Sequence, residues 1–265
     1  MQAAHLNPRS YPCDSRACLA TASLSGSGRS LEIFPDPQGS APSGRSRLRA
    51  GTPAVTQAAT QAATPSGLGG TNVAKGGIRQ AIFFDLHGIL VQPWTDREDY
   101  ARPRFYEGAL EALHRIDSRR MDIFIATNQP GVADGRLRER DFKRFQEAVL
   151  QAFEAQQLPL RKFYACLYHP KGKGRWRKES VFRKPNIGMF KMAEQEFDLN
   201  LRRSWIIGDT SSDVLAGSRA GLGTIVINTG EAGRDGEYIA GAHFREPNFD
   251  TAIRRISKYE VSLTR

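Results

Sequence analysis

Ala81-Ile82-Phe83-Phe84-Asp85-Leu86-His87-Gly88 is a run of four apolar residues that ends in an acid and closes on a glycine. Such a run, begun at Gln80, reads as a short buried strand. A strand of this kind holds the backbone of Asp85 rigid and brings its carboxylate out at the sheet edge. That is where a nucleophile must be pre-positioned. Taken alone, Asp85 is equally well a turn or helix-capping residue, and the rest of the chain has to decide.

Working outward, the sequence alternates strand and helix. Apolar spacing predicts a helix over Tyr106–Arg119, with Leu110, Leu113 and Ile116 on one face, and a strand over Asp122–Ala126. A helix over Arg138–Gln156 carries Phe142, Phe145, Val149, Leu150 and Phe153 at helical spacing. A strand follows at Phe163–Leu167, then a helix over Ile187–Phe197 and a strand at Trp205–Ile207. The helix Asp213–Ala220 ends at Gly221, a C-terminal glycine signal. A strand at Thr224–Asn228 and a helix over Phe249–Lys258 close the chain. This alternation predicts an α/β fold with a doubly wound, mostly parallel, Rossmann-like sheet. In that architecture ligands bind beyond the carboxyl ends of the strands.

Three further motifs fall at such ends. Thr127-Asn128 ends the second strand, where a hydroxyl, an amide and free N–H groups hold phosphate oxygens. Lys184 precedes Pro185 and the next helix, placed to neutralise charge on a transferring phosphoryl group. Asp209 and Asp213 bracket a strand-to-helix turn. Two carboxylates with waters and a backbone carbonyl suit Mg²⁺, although an N-capping pair has the same spacing. Together the four motifs suggest phosphoryl transfer through a carboxylate.

The set FFDLHG, ATNQPGVADG, HPKG, RKPNIGM and IIGDTSSDVLAGSRAG resembles the haloacid dehalogenase-like phosphatases. It is most similar to their capless branch, which holds heptose-bisphosphate and histidinol-phosphate phosphatases. The similarity spans roughly residues 80–230. It implies a domain over 79–265 without a large cap and a Mg²⁺-dependent phosphomonoesterase acting on a small sugar or amino-alcohol phosphate. By the resemblance Asp85 forms the aspartyl-phosphate, and Thr127 and Asn128 bind phosphoryl oxygens. Lys184 steadies nucleophile and phosphate, and Arg183 meets substrate. Asp85, Asp209, Asp213 and the backbone carbonyl of His87 hold the Mg²⁺.

The sequence departs from the family pattern in two places. The family's acid/base, an Asp two residues after the nucleophile, is here His87, and the next position, usually Thr, is Ile89. Histidine exchanges protons near neutrality but is bulkier. This leaves two outcomes open: an enzyme slowed at proton transfer, or a catalytically degenerate phosphate-binding or scaffold protein. The second departure is a loop that in close relatives carries four zinc ligands. The matching positions are Cys166, Tyr168, Ser180 and Phe182, with His169 one residue off the pattern, so zinc is not expected. Residues 170–183 instead hold Lys171, Lys173, Arg175, Arg177, Lys178 and Arg183 around Trp176. That composition allows a third reading, a phosphatase for nucleic-acid ends.

Composition bounds the rest. Residues 1–80 carry eight basic and three acidic side chains and the remainder 30 and 25, so each part nets +5. That balance suits an anionic small molecule as well as nucleic acid. Residues 1–78 are rich in Ala, Ser, Gly, Thr and Pro and read as a disordered extension, in which an organelle-targeting segment, a plain upstream extension and a mis-set start are all open. Cys13, Cys18 and Cys166 form no disulfide framework, and a reducing cytoplasm is the default location. No apolar run is long enough to span a membrane. Nothing in the sequence specifies an oligomeric state.

Overall fold

A computed structural model describes residues 31–33, 79–93 and 102–263. Seven strands form one parallel sheet: β1 (Leu31–Ile33), β2 (Gln80–Phe84), β3 (Met121–Asn128), β4 (Leu160–Cys166), β5 (Trp205–Gly208), β6 (Gly223–Ile227) and β7 (Phe244–Glu246), in the order β1-β4-β3-β2-β5-β6-β7. From β2 the chain steps outward through β3 to β4, then returns to the other side of β2 with β5. β2 therefore flanks the point where the strand order reverses, and the crevice beyond its carboxyl end is the site the topology provides.

Alternation along β2 builds two cores. Ile82 and Phe84 face a cluster with Leu110 and Leu113 of α1 (Ala109–Leu113), Phe142, Phe145, Val149 and Phe153 of α3 (Glu139–Ala155), and Phe249, Ile253 and Ile256 of α6 (Phe249–Leu263). Ala81 and Phe83 face the opposite cluster, with Met189, Phe190 and Ala193 of α4 (Gly188–Phe197) and Ala216 and Ala220 of α5 (Ser211–Ala220). Both faces are covered, which is why the strand reads as an unbroken apolar run. Phe83 stacks on Phe124 with ring centroids 5.0 Å apart and meets Phe190 edge-on at the same distance. Each such buried ring contributes ~2–3 kcal/mol of apolar burial.

The expected strands and helices are all present, with shifted ends. The largest difference is α1, expected over Tyr106–Arg119. It begins after Gly108, which takes a left-handed φ of 71°, and its hydrogen bonds tighten to three-residue turns at Arg115 and Ile116. α2 (Pro130–Ala133) and β7 were not anticipated. The expectation of a disordered 1–78 segment, and with it any targeting role, lies outside the described residues except at Leu31–Ile33. There the expectation is corrected: these residues pair in parallel with Phe163–Ala165, an apolar-flanked triplet extending the sheet edge. Among the described residues no helix is long and apolar enough to cross a membrane.

Candidate active site

The carboxyl end of β2 delivers Asp85, whose N–H bonds the Ile207 carbonyl of β5 at 3.1 Å. The ends of β5 and α5 deliver Asp209 and Asp213. One ligand oxygen from each of the three acids lies within 4.8 Å of the others, and all three residues are buried. Among the described residues this is the cluster that could hold a metal ion. Asp213 serves two purposes. Its Oδ2 accepts from the Thr210 hydroxyl (2.7 Å) and N–H (3.1 Å), completing a capping box on α5. Its Oδ1 faces the cluster, 2.5 Å from Lys184 Nζ. Metal ligation and N-capping, alternatives in the sequence, are thus available to different oxygens of one side chain.

Lys184 is almost wholly buried. Its Nζ reaches Asp213, Asp85 Oδ1 at 3.2 Å and the Ala126 carbonyl at 2.6 Å. Burial pulls its pKa down, but the fields of Asp213 and Asp85 outweigh burial, so the ammonium is held above its ordinary value. One cation thus faces three carboxylates. The excess negative charge appears at Asp209, whose pKa burial, Asp213 and Asp85 push up to about 8. Asp213 is likewise raised, chiefly by burial. The Oδ1 of Asp209 is buried and accepts no hydrogen bond among the described residues. A hard divalent cation fits this set: oxygen donors, surplus negative charge and a bare buried oxygen.

Lys184 carries an expected stability effect. A Lys184→Met variant leaves Asp85 and Asp213 buried without their cation, which should cost about 3–5 kcal/mol. In that variant Asp213, already raised by burial, loses the cation that opposes the rise and binds a proton more readily folded than unfolded, so the deficit against wild type should narrow as pH falls from 7 to 5. Urea unfolding in chelator at both pH values checks this; an equal deficit at both contradicts it.

Thr127 is buried, and its hydroxyl accepts from Gln129 Nε2 at 3.0 Å. Asn128 differs from expectation. Its Nδ2 donates to the Lys184 carbonyl (2.9 Å) and its Oδ1 accepts from the Lys184 N–H (3.0 Å). The amide therefore splints the backbone that carries Lys184, next to a cis Lys184–Pro185 bond. Arg183 is half-buried, and its Nη1 is shielded and without a hydrogen bond among the described residues.

His87 is not a member of the carboxylate cluster. Its ring lies on Phe145 of α3, with centroids 5.6 Å apart and planes 16° from parallel. Both ring nitrogens are shielded from solvent. Burial lowers the pKa to about 4, against a raising hydrogen bond with the Gln92 backbone, so the ring is neutral at pH 7. Ile89 is fully buried in the α1–α3–α6 core.

Side-chain stacking holds the basic loop. Trp176 packs on Tyr168 (centroids 5.4 Å apart), Arg175 lies over the Trp176 ring at 4.5 Å, and Lys178 lies over Tyr168 at 5.5 Å. Arg175 also pairs with Glu139 of α3 at 2.5 Å. Cys166 is buried, with its thiol 3.8 Å from the Tyr168 carbonyl, and burial raises its pKa. Purified protein should therefore lack stoichiometric zinc by elemental analysis. Cys166 should resist a thiol reagent at pH 8 until the chain is unfolded. A tightly held zinc, or rapid native labelling mapped to Cys166, would contradict this account of the loop.

Sequence reasoning missed Gln129, Thr210 and the turn Thr229-Gly230-Glu231, which packs against Asp209. Thr210 was legible as a capping-box residue; the turn acts through backbone and absent side chains and carried no chemical signature.

The chain is similar to known proteins. The HAD-hydrolase-like family profile matches residues 181–246. A D-glycero-alpha-D-manno-heptose-1,7-bisphosphate 7-phosphatase of Burkholderia mallei is 34% identical over 149 residues, covering 56% of this chain and 79% of that protein. The enzyme of the same name from Campylobacter jejuni is 35% identical over 162 residues, covering 60% and 87%. Among solved structures, a HAD-like phosphatase of Mesorhizobium loti aligns with a TM-score of 0.57 at 27% identity, covering 68% of this chain and 85% of that one. D,D-heptose 1,7-bisphosphate phosphatase from B. bronchiseptica, solved with magnesium and phosphate, aligns with a TM-score of 0.59 at 18% identity, covering 68% and 99%. This chain belongs to the haloacid dehalogenase-like hydrolases and is a phosphatase of that family.

Proposed function

We propose that the chain is a Mg²⁺-dependent phosphomonoesterase that works through an aspartyl-phosphate at Asp85 on a small phosphorylated sugar. The observation that carries this reading is the Asp85–Asp209–Asp213 cluster, with Lys184 as its one cation and the Asp209 Oδ1 bare. Asp85, Asp209 and Asp213 would hold the metal, and a bound Mg²⁺ neutralises phosphoryl oxygens and draws the substrate to the cluster.

This chain's own residues do the rest. The Asp85 carboxylate attacks phosphorus. A bond forms between its oxygen and phosphorus, the bond to the sugar oxygen breaks, and that oxygen takes a proton from solvent water. Water then attacks the same phosphorus, the bond to Asp85 breaks, and inorganic phosphate leaves. Lys184 offsets the charge of Asp85 and of the phosphoryl group throughout. Buried Thr127 and the N–H groups beyond β3 line the phosphate pocket, and Asn128 keeps Lys184 in register. Arg183, with its unpartnered Nη1, is the residue that would meet a further anionic group of the substrate.

The heptose-bisphosphate phosphatases among the relatives support a sugar phosphate as the substrate class. The nucleic-acid reading is weaker, because Arg175 already lies over the Trp176 ring, where a base would stack. The non-catalytic reading draws on one observation, the stacking of His87 against Phe145.

The test is phosphate release from sugar phosphates, amino-alcohol phosphates, nucleotides and a DNA 3′-phosphate, with Mg²⁺ or with chelator. Mg²⁺-dependent release from a sugar phosphate supports the proposal. Release from none of them, by wild type or by a His87→Asp variant, hands the site to the non-catalytic reading.

A further inference from the structure

The turn after β6 has no assigned role, yet it touches Asp209 of the cluster directly. The Glu231 N–H donates to Asp209 Oδ2 at 2.9 Å. A Cβ on Gly230 would overlap that same oxygen and would lie 3.0 Å from the Gly88 Cα. A Cβ on Gly88, which sits at φ +77°, would overlap the same oxygen. Two bare glycines and one N–H thus enclose Oδ2, while Oδ1 of the same carboxylate is left without a hydrogen bond.

The enclosure is itself tied down. Thr229 Oγ1 donates to the Gly88 carbonyl at 2.5 Å, locking the turn to the loop that follows Asp85. The Tyr106 hydroxyl donates to the Thr229 carbonyl at 3.1 Å, and the Gly233 N–H donates to the Asp209 carbonyl at 2.6 Å. Every one of these contacts bears on where the Asp209 carboxylate points. None reaches Asp85, Lys184 or Asp213 directly.

We infer that Thr229-Gly230-Glu231 is a positioning clasp that fixes Asp209 Oδ2 and presents Oδ1 to a divalent cation, so that this turn sets metal affinity. The inference rests on the metal reading of the cluster proposed above. Partners of this kind, one layer behind a ligand, typically change metal affinity 10–100-fold when removed. The glycine is required by space: any side chain at 230 drives the carboxylate out of its slot.

The experiment is direct metal binding by the full chain, with Mn²⁺ followed by electron paramagnetic resonance and Mg²⁺ by calorimetry, so the readout needs no turnover. Thr229→Val keeps the shape and removes the hydroxyl, Thr229→Ser restores it, and Gly230→Ala fills the slot. The expected result is Mn²⁺ binding weakened at least about 10-fold in Thr229→Val and Gly230→Ala and near wild type in Thr229→Ser. Phosphate release should show the same split, with the Mg²⁺ concentration for half-maximal rate rising and the rate at saturating Mg²⁺ holding. If Gly230→Ala fails to fold, Thr229→Val decides. Binding within twofold of wild type in the folded variants overturns the inference and leaves the metal reading standing, even if the metal-free melting temperature has dropped. A wild-type chain that binds neither ion overturns the metal reading, and the clasp with it.

Discussion

An Asp85→Asn variant should lose phosphate release down to background, a fall on the order of 10⁴-fold or more, while folding at least as well as wild type. The two halves of this expectation come from the same geometry. The amide has nearly the size and shape of the carboxylate, and the backbone contact from Asp85 to Ile207 is untouched. Lys184 keeps Asp213 and the Ala126 carbonyl as partners. A cluster with three acids and one cation becomes less repulsive when one acid is neutralised, so the metal-free melting temperature should hold or rise. A neutral amide is a poor nucleophile toward phosphorus, and Asp209 and Asp213 each keep only one oxygen clear of Glu231 and Thr210, the oxygen that would hold the metal. Release measured on a sugar phosphate with saturating Mg²⁺, alongside a melting curve in chelator, reads both halves. Retention of more than a few per cent of wild-type rate would remove Asp85 from the role of nucleophile.

How much of this was legible beforehand depends on what kind of contact does the work. The strand Gln80–Phe84 is evident because both of its faces are buried, and that burial writes an unbroken apolar run into the sequence. Asp85 and Asp209 are evident because each sits where an apolar strand stops, Lys184 and Asp213 because each stands at the approach to or start of a helix, and their convergence follows from a parallel sheet whose strand order reverses beside β2. β7 was not legible: a three-residue strand, Phe244-Arg245-Glu246, is too short to show a period. The length of α1 was misjudged because Ile116 remains buried after the helix has tightened into turns, so the apolar spacing continues where the helix does not.

Within the candidate site, residues that offer their own functional groups were legible in the sequence, and those that act through backbone or through missing atoms were not. Gly230 matters because it has no side chain, and Glu231 through its N–H. Asn128 was found, but its amide grips the Lys184 backbone, a pairing across the chain that no local pattern encodes. The loop after Cys166 shows the same limit. Its basic residues around Trp176 allowed a nucleic-acid reading, and the stack of Arg175, Trp176 and Tyr168 that holds it appears only once the chain folds back on itself.

His87→Asp should raise turnover of a sugar phosphate about 10²–10⁴-fold, the usual worth of a positioned general acid–base. The wild-type ring lies flat on Phe145, apart from the carboxylate cluster, and is neutral at pH 7. A neutral ring held there cannot hand a proton to a departing alkoxide. An aspartate at 87 has no reason to stay against Phe145, since a carboxylate gains nothing on an aromatic face and a bound Mg²⁺ attracts it. It should turn into the cleft, where protonating the leaving oxygen and then activating water are within reach. The gain has to depend on the leaving group. An aryl phosphate releases an acidic phenol that needs little proton assistance, so wild type should process it comparatively well and the variant should improve on it only slightly. With a sugar phosphate the variant should close most of that gap. The vacated space beside Phe145 should cost about 1 kcal/mol of stability, visible as a small fall in melting temperature. Equal gains on both substrates would point to a change in metal or substrate binding. No gain on the sugar phosphate, in a folded variant that binds Mg²⁺, would mean that position 87 does not limit the proton transfer and that some other group supplies it.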